Sequence, residues 1–111
     1  MKIISLDTLP LQTVSHNSEI TKKVMLSNKD LPHLTNFSQA TFAPGQIAKA
    51  HAHQDMCEVF FVSAGVGIIR IDEEEYNLTP GVCVAVEPEE THEVINTGTE
   101  ELILTYFGIQ K

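Results

Sequence analysis

Only two cysteines, Cys57 and Cys83, occur in the 111 residues of this chain. Two are too few for a disulfide framework, and their separation is not that of a C-x-x-C motif. They read as reduced thiols packed in or beside strands. Basic residues are scarce as well: 7 lysines and arginines stand against 15 aspartates and glutamates, a formal net charge of −8. With no basic patch to neutralise phosphates, nucleic acid and anionic membrane surfaces are not expected partners. No apolar stretch approaches the ~20 residues that a membrane-spanning helix needs. The N-terminus has Lys2 and a brief apolar cluster before Asp7, with no small-residue cleavage site after it. It does not read as a secretory signal, so the expected compartment is the cytoplasm. The sequence also lacks repeats, low-complexity segments, a phosphate-binding Gly-rich loop and a Ser/His/Asp nucleophile order.

What is present from Asn36 onward is a succession of short apolar runs separated by turn residues. Ser38 to Phe42 precedes the turn at Pro44-Gly45. Ala48 to His53 and Glu58 to Val62 follow, then Val66 to Ile71. The acidic tip Asp72-Glu73-Glu74-Glu75 leads back through Tyr76 to Leu78. Beyond Pro80-Gly81 come Val82 to Val86, His92 to Ile95 and Leu102 to Phe107. Such spacing predicts an all-β sandwich or barrel over residues 36–111 with less than about a tenth of the chain helical. Residues 1–35 read as an N-terminal arm with edge strands, one begun by Ile3-Ile4 and one at Val24-Met25-Leu26, then a turn at Asn28-Lys29-Asp30 and Pro32. The whole reads as one structural domain, of common size.

The chemistry concentrates in the middle. His51 and His53 are separated by one residue, Glu58 follows, and His92 lies further on. On an extended strand, residues two apart share a face, so His51 and His53 point the same way. Three imidazoles and a carboxylate suit a divalent transition metal: Fe, Mn, Co, Ni, Cu or Zn. Read with x for any residue, Gly45 to Gly65 gives G-x5-H-x-H-x4-E-x6-G. This resembles the first signature motif of the cupin superfamily at every specified position. Gly81 to Asn96 resembles the second, G-x5-P-x-G-x2-H-x3-N, with Gly81, His92 and Asn96 in register. Glu87 stands in place of the motif's proline and Glu89 in place of its second glycine, with Pro88 between them, so the turn before His92 departs from the pattern. The two motifs cover residues 45–96 and are 15 residues apart, as in small single-domain microbial cupins.

That resemblance implies a cupin-type double-stranded β-helix, a jelly-roll barrel of two antiparallel sheets. It also implies one divalent metal per chain held by His51, His53, Glu58 and His92. Six-coordinate Mn, Fe, Co or Ni fits four ligands with two open positions better than structural Zn. Alternation from the ligands nominates Phe60, Val62, Ile69 and Val94 as pocket lining. The expected activity is metal-dependent action on a small organic molecule, as an oxygenase or an isomerase or lyase. The alternative is a non-catalytic metal or small-ligand binding module. Tyr76 and Tyr106 are acid–base candidates if they reach the cavity. His16 and His33, outside both motifs, read as surface residues. The acidic hairpin tip reads as a solvated face, and Glu87, Glu89 and Glu90 as a rim loop, with Glu93 turned away from the cavity. The runs Val59-Phe60-Phe61-Val62 and Leu102-Ile103-Leu104 are apolar on both faces, which calls for a cover outside the sheet. A homodimer packed on Phe61 is the favoured cover, and residues 1–35 the other.

Overall fold

β-Branched and aromatic residues at alternating positions build ten strands, and the computed structural model describes residues 1–14 and 17–111. They are β1 (Gln12–Val14), β2 (Asn17–Leu26), β3 (Leu34–Phe42), β4 (Ile47–His51), β5 (Met56–Ala64), β6 (Gly67–Ile71), β7 (Glu74–Leu78), β8 (Cys83–Val86), β9 (His92–Ile95) and β10 (Leu102–Gln110). A 3-10 turn at Leu6–Thr8 is the helical element among the described residues. The strands form a six-stranded sheet, β1-β2-β3-β10-β5-β8, and a four-stranded sheet, β4-β9-β6-β7. All pairings are antiparallel. The chain is thus all-β, in two sheets that are not closed into one barrel. Among the described residues no helix is long and apolar enough to cross a membrane.

The core lies between the sheets. Phe60, Val62, Leu102, Leu104, Ala40 and Phe42 come from the larger sheet, and Ile69, Leu78 and Val94 from the smaller. Burial alternates along β10, with Leu102 and Leu104 inside and Ile103 partly covered between them. The same alternation on β5 puts Phe60 inside, 8% exposed, and Phe61 outside, 46% exposed. Asn96, fully buried, closes the turn after β9: its amide donates to Phe42 O and Glu100 O, and its carbonyl accepts from Gly98 N–H. Every polar atom of that side chain is satisfied, so its place in the second motif is structural.

The N-terminal region departs from its sequence reading at one end and exceeds it at the other. Ile3 and Ile4 form no strand and are exposed, Ile3 almost completely. Two apolar residues have no ladder to join there, because β1 already forms the edge of the sheet. Val24 to Leu26, by contrast, is the end of a ten-residue strand that pairs with β3. The expected turn around Asn28 to Pro32 is present. His16 lies outside the described residues.

Gly65, the last residue of the first motif, has φ 84°, and a Cβ there would meet Glu101 O at 2.2 Å and the Leu102 Cα at 2.7 Å. Gly45 has φ 83° but open space around it. Gly65→Ala is therefore expected to cost about 3 kcal/mol or more, adding steric overlap with fixed backbone to left-handed strain, and Gly45→Ala only about 1 kcal/mol. Urea unfolding of both variants measures the difference. Equal losses would mean that φ alone sets both requirements.

Candidate metal centre

A one-residue irregularity aims the first histidine. In the β4–β9 pair Ala48 stands opposite Val94 and His51 opposite His92, so β4 spends one more residue than β9 between these pairs. Ala48 faces the interior cavity. Strict alternation from it would turn Ala50 inward and His51 outward. The bulge resets the parity, as bulges beside functional sites do, and His51 meets His92 with ring centroids 4.2 Å apart.

His53 reaches the cluster by another route. Strand β4 ends at His51, so His53 lies in the following loop and not on the strand that the sequence suggested. Its carbonyl accepts the Glu89 N–H at 2.6 Å. That bond ties the first motif to the turn before β9. Glu89 adopts φ 71°, the left-handed conformation that the motif's glycine takes without strain. The turn is held further by Glu90, whose carboxylate accepts the Glu87 N–H at 2.7 Å. The departures from the second motif thus leave His92 in register. At the other side of the turn, Asp72 joins the hairpin tip to the start of β9: its N–H donates to Thr91 O, and its carboxylate accepts the Thr91 N–H.

One donor atom from each of His51, His53, Glu58 and His92 lies within 4.8 Å of every other. Glu58 Oε1 is 3.0 Å from His53 Nε2 and 3.1 Å from His92 Nε2. Neighbouring ligands of a six-coordinate ion at ~2.1 Å stand about 3.0 Å apart, so these donors already have ligand spacing. The supporting bonds fit as well. His51 Nδ1 is 2.9 Å from Lys49 O, and His92 Nδ1 is 3.2 Å from Glu90 O. A carbonyl oxygen only accepts, so Nδ1 carries the hydrogen and Nε2 is left to ligate. The residues therefore fit a divalent transition metal.

The same bonds fix the charges of the metal-free cluster. Both partners of His92 are acceptors, an arrangement that favours the imidazolium form, in which both ring nitrogens donate. Burial disfavours that charge, but the hydrogen bond to Glu58, with smaller help from Glu90, outweighs it and raises the pKa of His92. Burial likewise pushes the Glu58 carboxyl up; the bond from His92 and the charges of His53, His92 and His51 together hold it below its ordinary value. The His92 contribution to the metal-free fold is thus complete below 6.5 and fades as pH rises through its raised pKa. That of Glu58 is complete above 4.5 and fades as pH falls through its lowered one.

The four candidate ligands open onto a cavity of about 270 Å³ between the sheets. Phe60 and Val94 lie on its wall. Val62 and Ile69, expected beside them, are packed in the core instead, 1% and 0% exposed. Alternation chose their face correctly but says nothing of depth, and both sit beyond the cavity. Tyr106 lines the cavity and stacks on Phe60 at 5.6 Å. Burial raises its pKa, a bond from Ser38 acting against this and the Glu58 charge with it. Tyr76 is exposed and donates to Glu74 outside the cavity.

Glu93 points outward to Arg70, and Glu87, Glu89 and Glu90 do not line the cavity. His33 is exposed, its Nδ1 3.0 Å from Gln110 O, and it does not line the cavity. Cys57 and Cys83 are free, the first partly buried and the second exposed. Sequence reading passed over Lys22 and Asn36, both on the cavity wall. Lys22 had a signal: Ile20 and Val24, two residues to either side, mark its parity as inward.

Comparison with known proteins agrees with this fold. The family model described as "Cupin domain" matches residues 38–108. Among solved structures, a predicted oxalate decarboxylase from Thermotoga maritima is 16% identical, with a TM-score of 0.92 over 99% of this chain and 100% of that one. A sugar phosphate isomerase of the cupin superfamily from Silicibacter pomeroyi is 14% identical, with a TM-score of 0.82 over 99% and 76%. A Cupin 2 conserved barrel domain protein from Salinispora arenicola is 19% identical, with a TM-score of 0.78 over 99% and 89%. No curated protein matches the chain in sequence.

His51→Ala and His92→Ala are expected to abolish tight binding of one divalent ion per chain, and His33→Ala to leave it intact, as read by elemental analysis. Binding by the unaltered protein should weaken as pH falls through the raised pKa of His92, above 6.5, because the ion must displace the Nε2 proton. Equal metal content in all three variants would refute the assignment.

Proposed function

Since this chain belongs to the cupin superfamily, we propose that it is a metal-dependent enzyme acting on a small organic molecule in its interior cavity. The reaction is that of an oxygenase, or of an isomerase or lyase. One observation carries this reading: four donors at ligand spacing open onto a cavity with apolar walls. A divalent ion bound there would supply a Lewis acid with open coordination positions.

The chain's own residues do the rest. Phe60 and Leu104 from the larger sheet and Val94 from the smaller give the cavity apolar surface on both sides and favour a partly apolar ligand. Tyr106, its pKa raised mainly by burial, keeps its proton at neutral pH and can present a hydroxyl to the ligand. His51 and His92 are fixed by backbone carbonyls, so the ligating nitrogens are oriented before any ion arrives. In fold, the chain resembles both a predicted decarboxylase and a sugar phosphate isomerase, and fold alone does not choose between reactions.

We further propose that the protein is a homodimer. Phe37, Phe107, Val59 and Ala85 stand in register across the outer face of the larger sheet, with Phe61 in the neighbouring row. The N-terminal strands extend that sheet beyond β3 and leave Phe61 46% exposed. Contiguous apolar surface of this kind favours association.

Elemental analysis of the purified protein, followed by oxygen uptake and product detection over panels of small organic substrates, tests the enzymatic reading. Bound metal with substrate-dependent oxygen consumption supports an oxygenase, and conversion without oxygen an isomerase or lyase. Stoichiometric metal with no turnover in any class would leave a binding module. For assembly, Phe61→Glu is expected to shift sedimentation toward monomer with metal content unchanged. An unaltered protein that is monomeric at high micromolar concentration would overturn the dimer.

A further inference from the structure

Two consecutive lysines on β2 have opposite fates. Lys23 points to the outer face, where its ammonium donates to Leu6 O at 3.0 Å. Lys22 stands opposite Ala40 in the β2–β3 register. Directly paired residues of antiparallel strands share a face, and Ala40 is buried toward the interior. Lys22 accordingly lines the cavity that holds the metal ligands, and it is partly buried. Among the described residues, no ion pair engages it.

The charge of that cavity is opposite to that of the protein. The chain carries −8 overall, yet Glu58 is the one carboxylate among the described residues of the cavity wall. Against it stand Lys22 and three imidazoles. The other acidic side chains considered above, Asp72, Glu87, Glu89, Glu90 and Glu93, face elsewhere. With a divalent ion on the four donors, Glu58 and Lys22 would cancel in formal charge and the ion's two positive charges would be left around the cavity. Filling such a cavity with a neutral apolar molecule would leave that excess unbalanced in a medium where charge is poorly screened.

The cation and the donors also stand apart. Lys22 on β2 and Glu58 on β5 are separated by β3 and β10, three strand spacings or roughly 14 Å across the sheet, and the register sets Lys22 level with Val62, further along β5 than Glu58. The apolar side chains of Phe42 and Leu104 lie on the wall, as do Asn36 and Tyr106. At about 270 Å³, the space is below the ~300–1,000 Å³ typical of pockets for drug-sized ligands.

We propose that the cavity takes a small organic acid whose carboxylate is held by Lys22 while its other polar end faces the metal ligands. Lys22 is then the residue that determines specificity. The proposal rests on the reading of the cavity as a metal-dependent ligand site, and it adds the chemical class of the ligand.

Calorimetric titration of the metal-loaded protein tests it with a length series of straight-chain dicarboxylates, succinate to suberate, each beside its monoacid monoamide. The best-fitting diacid is expected to bind about tenfold or more tighter than its monoamide, as a charge-assisted hydrogen bond would give. Lys22→Gln should erase that ratio, Lys22→Arg should restore part of it, and Lys23→Gln should leave it unchanged. Metal content and thermal midpoint, measured on every variant, should not move. Equal binding of diacid and monoamide, no binding by any member, or an unaltered ratio in Lys22→Gln would overturn the role of Lys22 and leave the metal centre standing. Absence of metal from the unaltered protein would overturn both.

Discussion

A carboxylate removed from water is the constraint around which this fold is arranged. Glu58 sits between the sheets, 8% exposed, where an unpaired charge costs several kcal/mol. It stays ionised because imidazoles converge on it from β4, from the loop after β4 and from β9. None of these elements adjoins β5 in its sheet. The interaction therefore joins the two sheets through their polar centre, where the apolar core alone would have no reason to place them in register. A divalent ion bound there would compensate the same carboxylate that His92, its pKa raised by Glu58, compensates without it.

Supporting contacts are mostly main-chain bonds. Glu90 O orients His92, Lys49 O orients His51, and the Glu89 N–H holds the carbonyl of His53. Apart from Glu90, whose carboxylate also accepts the Glu87 N–H, these bonds ask for a backbone path and not for a particular side chain. This explains how the second motif tolerates Glu87 and Glu89. The path requires a left-handed residue at 89, and a glutamate can occupy that conformation at a cost of ~1–2 kcal/mol.

Much of this was legible in the sequence because two periodicities coincide there. Alternating apolar residues marked the strands, and motif spacing picked out four residues whose donor atoms do come together, independently of any strand boundary. The arguments based on parity alone fared unevenly. Alternation placed Phe60 and Val94 on the cavity wall, yet it placed Val62 and Ile69 there too, since it carries no information about depth. It justified His51 and His53 as neighbours on one strand, whereas a bulge aims the first and a loop carries the second. Bulges leave no local trace in composition: the extra residue in β4 becomes visible only when β9 is laid beside it. Lys22 was passed over because the eye reads Lys22-Lys23 as one polar pair, although only one of the two faces water.

The position of His53 has a kinetic meaning. His51, Glu58 and His92 are built into strands, and moving any of them means breaking ladder bonds within a sheet. His53 hangs on a loop, its side chain 32% exposed, its carbonyl fastened by the Glu89 N–H. Local opening is cheapest where fewest bonds must break. An ion held by these four donors would therefore enter and leave past His53, with a three-donor nest kept intact behind it. The rate of metal exchange would then be set by one loop, and the sheets could be as stable as the core allows without locking the ion in place.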